Sequence, residues 1–168
     1  MIKRILITED HQHSREGLRD TLLREGYVVE TAADSWQAIR KIKESAFDIA
    51  IIDLDLATLH GVIVTAWDLV RIFRACDPAI SIIVLGAEAE NSVRAEAKQL
   101  GVSEVLVKPI NPTQLKGIVK TLTHSSAAPV MNAERHEGRE RPARSHRSEA
   151  GGNPGCVCRL GGKFMRTV

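Results

Sequence analysis

Ile49-Ala50-Ile51-Ile52 runs between Asp48 and Asp53 with no polar residue among the four. A strand with one wet face alternates apolar and polar side chains. An unbroken apolar run suits a strand covered on both faces, as in the middle of a parallel sheet. Such a sheet needs helices in front and behind, and its strands need helical crossovers. The run stops at Asp53, and Leu54-Asp55-Leu56 leads into a polar turn closing at Gly61. A carboxylate at the carboxyl end of a central parallel strand lies where open α/β sheets bind ligands. An acid that merely ends a strand has the same appearance, so the rest of the chain must decide between the two.

That rest repeats the pattern. Ile5-Leu6-Ile7 reads as a short buried strand, and Thr8-Glu9-Asp10 leaves its end. Ser14 is placed to cap a helix with Leu18 and Leu22 on one face, ending near Gly26. Residues 27–31 are rich in β-formers and read as a second strand. Asp34 or Ser35 caps a helix striped by Ala38, Ile39, Ile42 and Ala46. Beyond Gly61, the residues Val62, Ala66, Leu69, Val70 and Phe73 mark a third helix that stops before Asp77-Pro78. Residues 80–85 form a fourth strand, followed by Gly86. Val93, Ala97 and Leu100 define a fourth helix closed by Gly101, and residues 102–107 a fifth strand ended by Lys108-Pro109. Asn111 and Pro112 supply the cap and first position of a last helix, with Leu115, Ile118, Val119 and Leu122 on one face. The expected class is α/β: a doubly wound five-stranded parallel sheet over residues 1–123.

From residue 124 onward the periodicity collapses. Residues 124–168 carry 8 of the 23 Lys and Arg but 4 of the 21 Asp and Glu, so a slightly acidic core precedes a basic tail. The tail is poor in large apolar residues and is expected to be disordered. Arg135, Arg139, Arg141, Arg144 and Arg147 are interleaved with Glu134, Glu137, Glu140 and Glu149 and no aromatic lies among them, which argues against direct DNA binding. These 45 residues are also too few and too polar for an ordinary helix-turn-helix output module, so a stand-alone domain is expected. Cys76, Cys156 and Cys158 give no disulfide framework, and a lone Cys-Val-Cys is a weak metal signal. No apolar run approaches the roughly 20 residues of a membrane span. The N-terminal apolar patch is too short for a signal peptide, so a cytoplasmic location without membrane insertion is expected.

If the sheet forms, Glu9 and Asp10, Asp53, Gly86 and Lys108 all follow strand ends on one side of it. Three acids crowded together repel one another unless a cation sits among them. Oxygen ligands of this kind suit Mg²⁺, or the similar Mn²⁺. Lys108 adds a mobile positive charge beside the metal. A carboxylate next to a divalent cation and a lysine is arranged to attack phosphorus and hold an acyl phosphate. His11 and His13 follow the acid pair and read as solvent-facing residues at a helix start rather than as ligands.

On Glu9-Asp10, the run ending in Asp53, Gly61 eight residues on, and Lys108-Pro109, the chain resembles the receiver domain of two-component response regulators. The resemblance implies a (βα)5 flavodoxin-like fold of strand order 2-1-3-4-5, the order known for the chemotaxis regulator. It implies that Asp53 accepts a phosphoryl group from a sensor histidine kinase or phosphotransfer protein. Glu9, Asp10 and Asp53 would hold Mg²⁺ with the backbone carbonyl of Asp55, Lys108 would contact the phosphoryl group, and Pro109 would follow a cis peptide bond. Such a domain catalyses only its own phosphotransfer and dephosphorylation. Output would pass to a downstream protein through the face made by the fourth helix, fifth strand and fifth helix, with Glu90, Arg94, Glu104 and Lys116 as exposed candidates. Departures stand at the switch positions. Gly86 replaces the usual Thr or Ser, Val105 the usual aromatic, and Ala57 a common proline. An unphosphorylated pseudo-receiver used for protein interaction, or a phosphate shuttle or sink, is the alternative these departures suggest.

Overall fold

A computed structural model describes residues 2–57, 64–88 and 90–124. Five strands alternate with five helices among the described residues: β1 Arg4–Thr8, α1 Gln12–Leu23, β2 Val28–Ala32, α2 Ser35–Glu44, β3 Ile49–Asp53, α3 Ala66–Cys76, β4 Ser81–Gly86, α4 Asn91–Gln99, β5 Glu104–Val107 and α5 Pro112–His124. The strands make one parallel sheet in the order β2-β1-β3-β4-β5. The α/β class and the strand order are those expected from the sequence.

Alternation of the pleat divides the strand side chains between two cores. Ile5, Ile7, Ile49, Ile51, Ile83, Leu85 and Leu106 face Leu18 and Leu22 of α1 and Leu115 and Val119 of α5. Leu6, Ala50, Ile52, Ile82 and Val84 face Ala38 and Ile42 of α2 and Leu69, Val70 and Phe73 of α3. All five residues of β3 are buried, which explains why its sequence shows no alternation. The register is in phase at the upper end, with Thr8 opposite Ile52, Asp53 opposite Leu85 and Gly86 opposite Val107. Parallel strands in this register bring their carboxyl ends to one edge of the sheet.

Three local expectations are corrected. The first helix starts at Gln12 with His11 as its N-cap, and no side chain caps it. Ser14 lies inside the first turn, and its hydroxyl turns toward Glu9 instead. The third helix starts at Ala66, because Thr65 and Asp68 close a reciprocal capping box there. Val62 and Gly61 lie outside the described residues. The stripe on α2 ends at Ile42; Ala46 follows the helix end and is exposed, and Phe47 fills the core below it. Asp34 and Asn111 accept backbone N–H bonds at the helix starts where the sequence places them. The expected basic tail lies outside the described residues from residue 125 onward. Among the described residues no helix is long and apolar enough to cross a membrane.

Candidate functional site

The upper edge of the sheet gathers Glu9 and Asp10 after β1, Asp53 at the end of β3, Gly86 at the end of β4 and Lys108 after β5. Lys108 reaches back into the group. Its Nζ is 2.7 Å from Asp53 Oδ1, 3.6 Å from Glu9 Oε2 and 3.8 Å from Asp55 Oδ2. Its own backbone N–H donates to the Gly86 carbonyl at 2.9 Å, which fixes β5 and its lysine to the end of β4. The Lys108–Pro109 peptide bond is cis.

Glu9 and Asp53 are both fully buried. Asp53 Oδ1 also accepts the Asp55 N–H at 3.1 Å, whereas Oδ2 is buried with no hydrogen-bond partner. Glu9 accepts from the His11 N–H at 3.2 Å and from the Ser14 hydroxyl at 3.1 Å. Burial first, and the Asp53 carboxylate second, push the Glu9 carboxyl above its ordinary value. Burial acts against the charged form of Lys108. The hydrogen bond and charge of Asp53, with Glu9 and Asp55 behind it, outweigh that and hold the ammonium above its usual range. Asp10 is likewise opposed by burial. The Ala57 N–H at 3.2 Å and the His11 ring nevertheless keep it below the ordinary carboxylate range.

Four groups anticipated from the sequence, Glu9, Asp10, Asp53 and Lys108, therefore meet in one cluster. Asp55 lies at its rim, with a side chain 56% exposed. Gly86 is buried. A Cβ built on it would stand 3.1 Å from Leu54 Cδ1, so Leu54 fills the space where a longer side chain would begin. Val105 packs partly buried against the α2–α3 core. Of the four candidate interface residues, Glu90 and Glu104 are exposed, and Arg94 is exposed but engaged in other contacts. Lys116 is a correction. It is only partly exposed and pairs with Glu25 just after α1 at 2.8 Å.

Sequence reasoning missed Arg15, whose Nη1 donates to the carbonyls of Glu9 at 2.8 Å and Asp10 at 2.9 Å and so pins the turn that carries both acids. It also missed the inward role of Ser14. The signal was spacing: both lie on the first turn of α1, above the strand end it follows. His11 was assigned to solvent. Its ring is 76% exposed, yet Nδ1 lies 2.8 Å from Asp10 Oδ1 and 3.5 Å from Glu9 Oε1.

The site fits a divalent cation. Buried oxygens of like charge, one of them unpartnered, are unfavourable together and become favourable around a hard cation. Glu9, Asp10 and His11 can each turn one ligand atom to a common point, these atoms lying within 4.8 Å of one another. A groove of about 390 Å³ flanks Lys108, walled by Ser14, Leu18 and Thr21 of α1 and by Pro109, Ile110 and Leu115.

A family model described as the response regulator receiver domain matches residues 5–120. The chain is 30% identical over 116 residues to the chemotaxis protein CheY of Thermotoga maritima, a match covering 68% of this chain and 92% of that protein. It is 28% identical over 131 residues to the transcriptional regulatory protein CusR of Escherichia coli, covering 78% of this chain but 56% of that protein. The chain thus spans little more than half the length of such longer relatives. Among solved structures, the chemotaxis response regulator CheY4 of Vibrio cholerae superposes with a TM-score of 0.66 at 28% identity, covering 73% of this chain and 99% of that one. A CheY-like receiver domain protein from Methanospirillum hungatei gives a TM-score of 0.66 at 26% identity, covering 74% and 96%. With that model matching residues 5–120 and the sheet in the order β2-β1-β3-β4-β5, the chain belongs to the response regulator receiver domain family.

Proposed function

We propose that Asp53 is the phosphoacceptor of a two-component relay and takes its phosphoryl group from a phosphohistidine of a sensor histidine kinase or phosphotransfer protein. The observation that carries this reading is the state of the Asp53 carboxylate: fully buried at a central strand end, one oxygen on Lys108 and the other unpartnered. An oxygen held without a partner keeps its lone pairs for phosphorus. It forms the new O–P bond as the P–N bond to the donor imidazole breaks, and the leaving imidazole nitrogen keeps the electron pair. Lys108 already bonds Asp53 and follows the negative charge onto the phosphoryl oxygens. A divalent cation, Mg²⁺ or Mn²⁺, held by Glu9, Asp10 and Asp53 with the Asp55 carbonyl, supplies charge stabilisation to the transferring group. Chemistry of this kind is limited to the domain's own phosphorylation and dephosphorylation.

Output on this reading is a protein contact on the α4–β5–α5 face, where Glu90, Glu104 and Val107 are exposed. One observation favours a phosphate shuttle over a shape switch. Leu54 occupies the space beside Gly86, and no hydroxyl stands there to be drawn toward a phosphoryl group. The test is incubation of the purified protein with acetyl phosphate or phosphoramidate and Mg²⁺, read by intact mass. A single phosphate adduct is expected that needs Mg²⁺ and is missing in Asp53→Asn. A folded wild type that takes no phosphate from these donors or from a histidine-phosphorylated partner would leave an interaction module without the chemistry.

A further inference from the structure

We propose that His11 is a ligand of the cation site, giving it one imidazole nitrogen beside the carboxylate oxygens and shifting its choice toward transition-metal ions such as Mn²⁺ and away from Mg²⁺. The inference rests on the reading of the acid cluster as a cation site. It adds a donor that the resemblance does not imply.

Position carries the argument. His11 is the N-cap of α1, with an extended backbone at φ −71 and ψ 115 that sends its ring back over the turn it closes. The same residue binds the cluster twice: its backbone N–H donates to Glu9 Oε1, and its ring Nδ1 stands 2.8 Å from Asp10 Oδ1 and 3.5 Å from Glu9 Oε1. Glu9, Asp10 and His11 are a set whose ligand atoms all lie within 4.8 Å of one another. The acids alone would not establish a site. Independently of them, Asp53 Oδ2 is a fully buried carboxylate oxygen without a hydrogen-bond partner, in a side chain that shares Lys108 with Glu9. With Lys108 on one oxygen and the other buried without a partner, the carboxylate has one oxygen open to a cation.

Chemistry then separates the ions. Mg²⁺ prefers oxygen and keeps several waters, so it gains little from an imidazole. Imidazole nitrogen binds later first-row ions more strongly, with affinity rising from Mn²⁺ toward Cu²⁺. A neutral imidazole also adds a donor without adding charge. The site already holds four carboxylates, Glu9, Asp10, Asp53 and Asp55, against one lysine. The ring is mostly exposed, so it can swing from its carboxylate partners onto an ion without disturbing the core.

The test uses the full chain, with Mn²⁺ and Mg²⁺ as probes. Mn²⁺ binding is followed by electron paramagnetic resonance, Mg²⁺ by competition, and the bound Mn²⁺ is examined for nitrogen coupling by electron spin echo modulation. His11→Ala is expected to weaken Mn²⁺ about tenfold and Mg²⁺ less than twofold, and to remove the nitrogen signal. His11→Asn keeps an N–H donor toward Asp10 and a good N-cap but lacks the imidazole, so it is expected to behave like His11→Ala. Nitrogen coupling missing in the wild type, or persisting in both variants, would overturn the proposal. So would equal losses for the two ions, or full affinity in His11→Asn, since either would make the ring a hydrogen-bonding support of Asp10 only. If folded wild type binds neither ion and Asp53→Asn is indistinguishable from it, the cation-dependent reading of the whole site fails as well. Mg²⁺ binding with a silent His11 would sink this inference alone.

Discussion

Gly86 and Leu54 are fitted to each other, and the fit is measurable. A Cβ at 86 meets Leu54 Cδ1 at 3.1 Å and the Glu88 carbonyl at 3.4 Å, so the γ atoms of a threonine must displace the leucine. Gly86→Thr should destabilise by about 1–3 kcal/mol, the usual cost of overpacking. In the background of Leu54→Ala the same change should cost at least ~1 kcal/mol less, because the two side chains compete for one volume. Urea denaturation of the four proteins checks this, and additive effects would show that the volume is not shared. Glu9 offers a second measurement. Its carboxyl is raised by burial and by Asp53. A raised carboxyl favours the protonated form in the folded state, so its stabilising contribution is present below the unfolded value of about 4.3 and lost as pH rises through the folded one. At neutral pH the charge is a cost. Glu9→Gln should therefore raise Tm by roughly a few degrees in the absence of divalent ions, and should blunt the rise expected of the wild type on adding Mg²⁺. Calorimetry with and without MgCl₂ reads both, and a lower Tm in the variant without Mg²⁺ would refute the account. Asp53, Glu9, Asp10 and Lys108 were legible from sequence because each follows an apolar run. Leu54, Arg15 and the His11 ring were not, because their partners are set by how turns fold over the sheet edge.

At the scale of elements, the apolar periodicity located every helix but misplaced two starts. For α3, Val62 extended the apolar pattern backward, while Thr65 and Asp68 carried the stronger boundary signal. The Thr65 N–H donates to Asp68 Oδ2 at 3.0 Å and the Asp68 N–H to Thr65 Oγ1 at 3.1 Å. Two otherwise free donors of the first turn are satisfied this way. Thr65→Ala should cost about 1 kcal/mol, with early amide exchange confined to the start of α3. Protection unchanged at Asp68 would count against the box. The other end of α3 shows what a one-dimensional pattern omits. Arg74 donates to the carbonyls of Pro78, Ile80 and Gly101, tying the helix to the entry of β4 and to the turn between α4 and β5. Gly101 holds φ +67 there, which admits that turn. Gly101 was readable as a helix stop. The arginine that clasps its carbonyl lies 27 residues earlier, and nothing in its neighbourhood marks it.

Among the described residues, the two edges of the sheet hold their acids differently. Below the sheet, Asp48 accepts from Lys3 Nζ at 2.7 Å and from the Arg4 N–H at 2.9 Å, closing the start of β1 onto the start of β3. Burial would raise the Asp48 carboxyl, but those two donors outweigh it and hold it low. The sign is the reverse of that for Glu9. A lowered carboxyl contributes stability above the unfolded value of about 3.9, and that stability is lost as pH falls through the lower folded value. Acid titration of stability should therefore be shallower below about pH 4 in Asp48→Asn than in the wild type, by up to ~1 kcal/mol for a pair this exposed. Parallel curves would show that the pair contributes nothing.

Strand β3 is thus preceded by an acid whose two oxygens are both bonded and ends at one with an oxygen left unpartnered, five residues apart. At about 3.3 Å per residue that is roughly 17 Å, far beyond the contact range of either ion pair. The ion pair that fastens β1 onto β3 and the cluster of buried acids therefore sit at opposite ends of one strand, so a change of charge at Asp53 breaks no contact of the seam below.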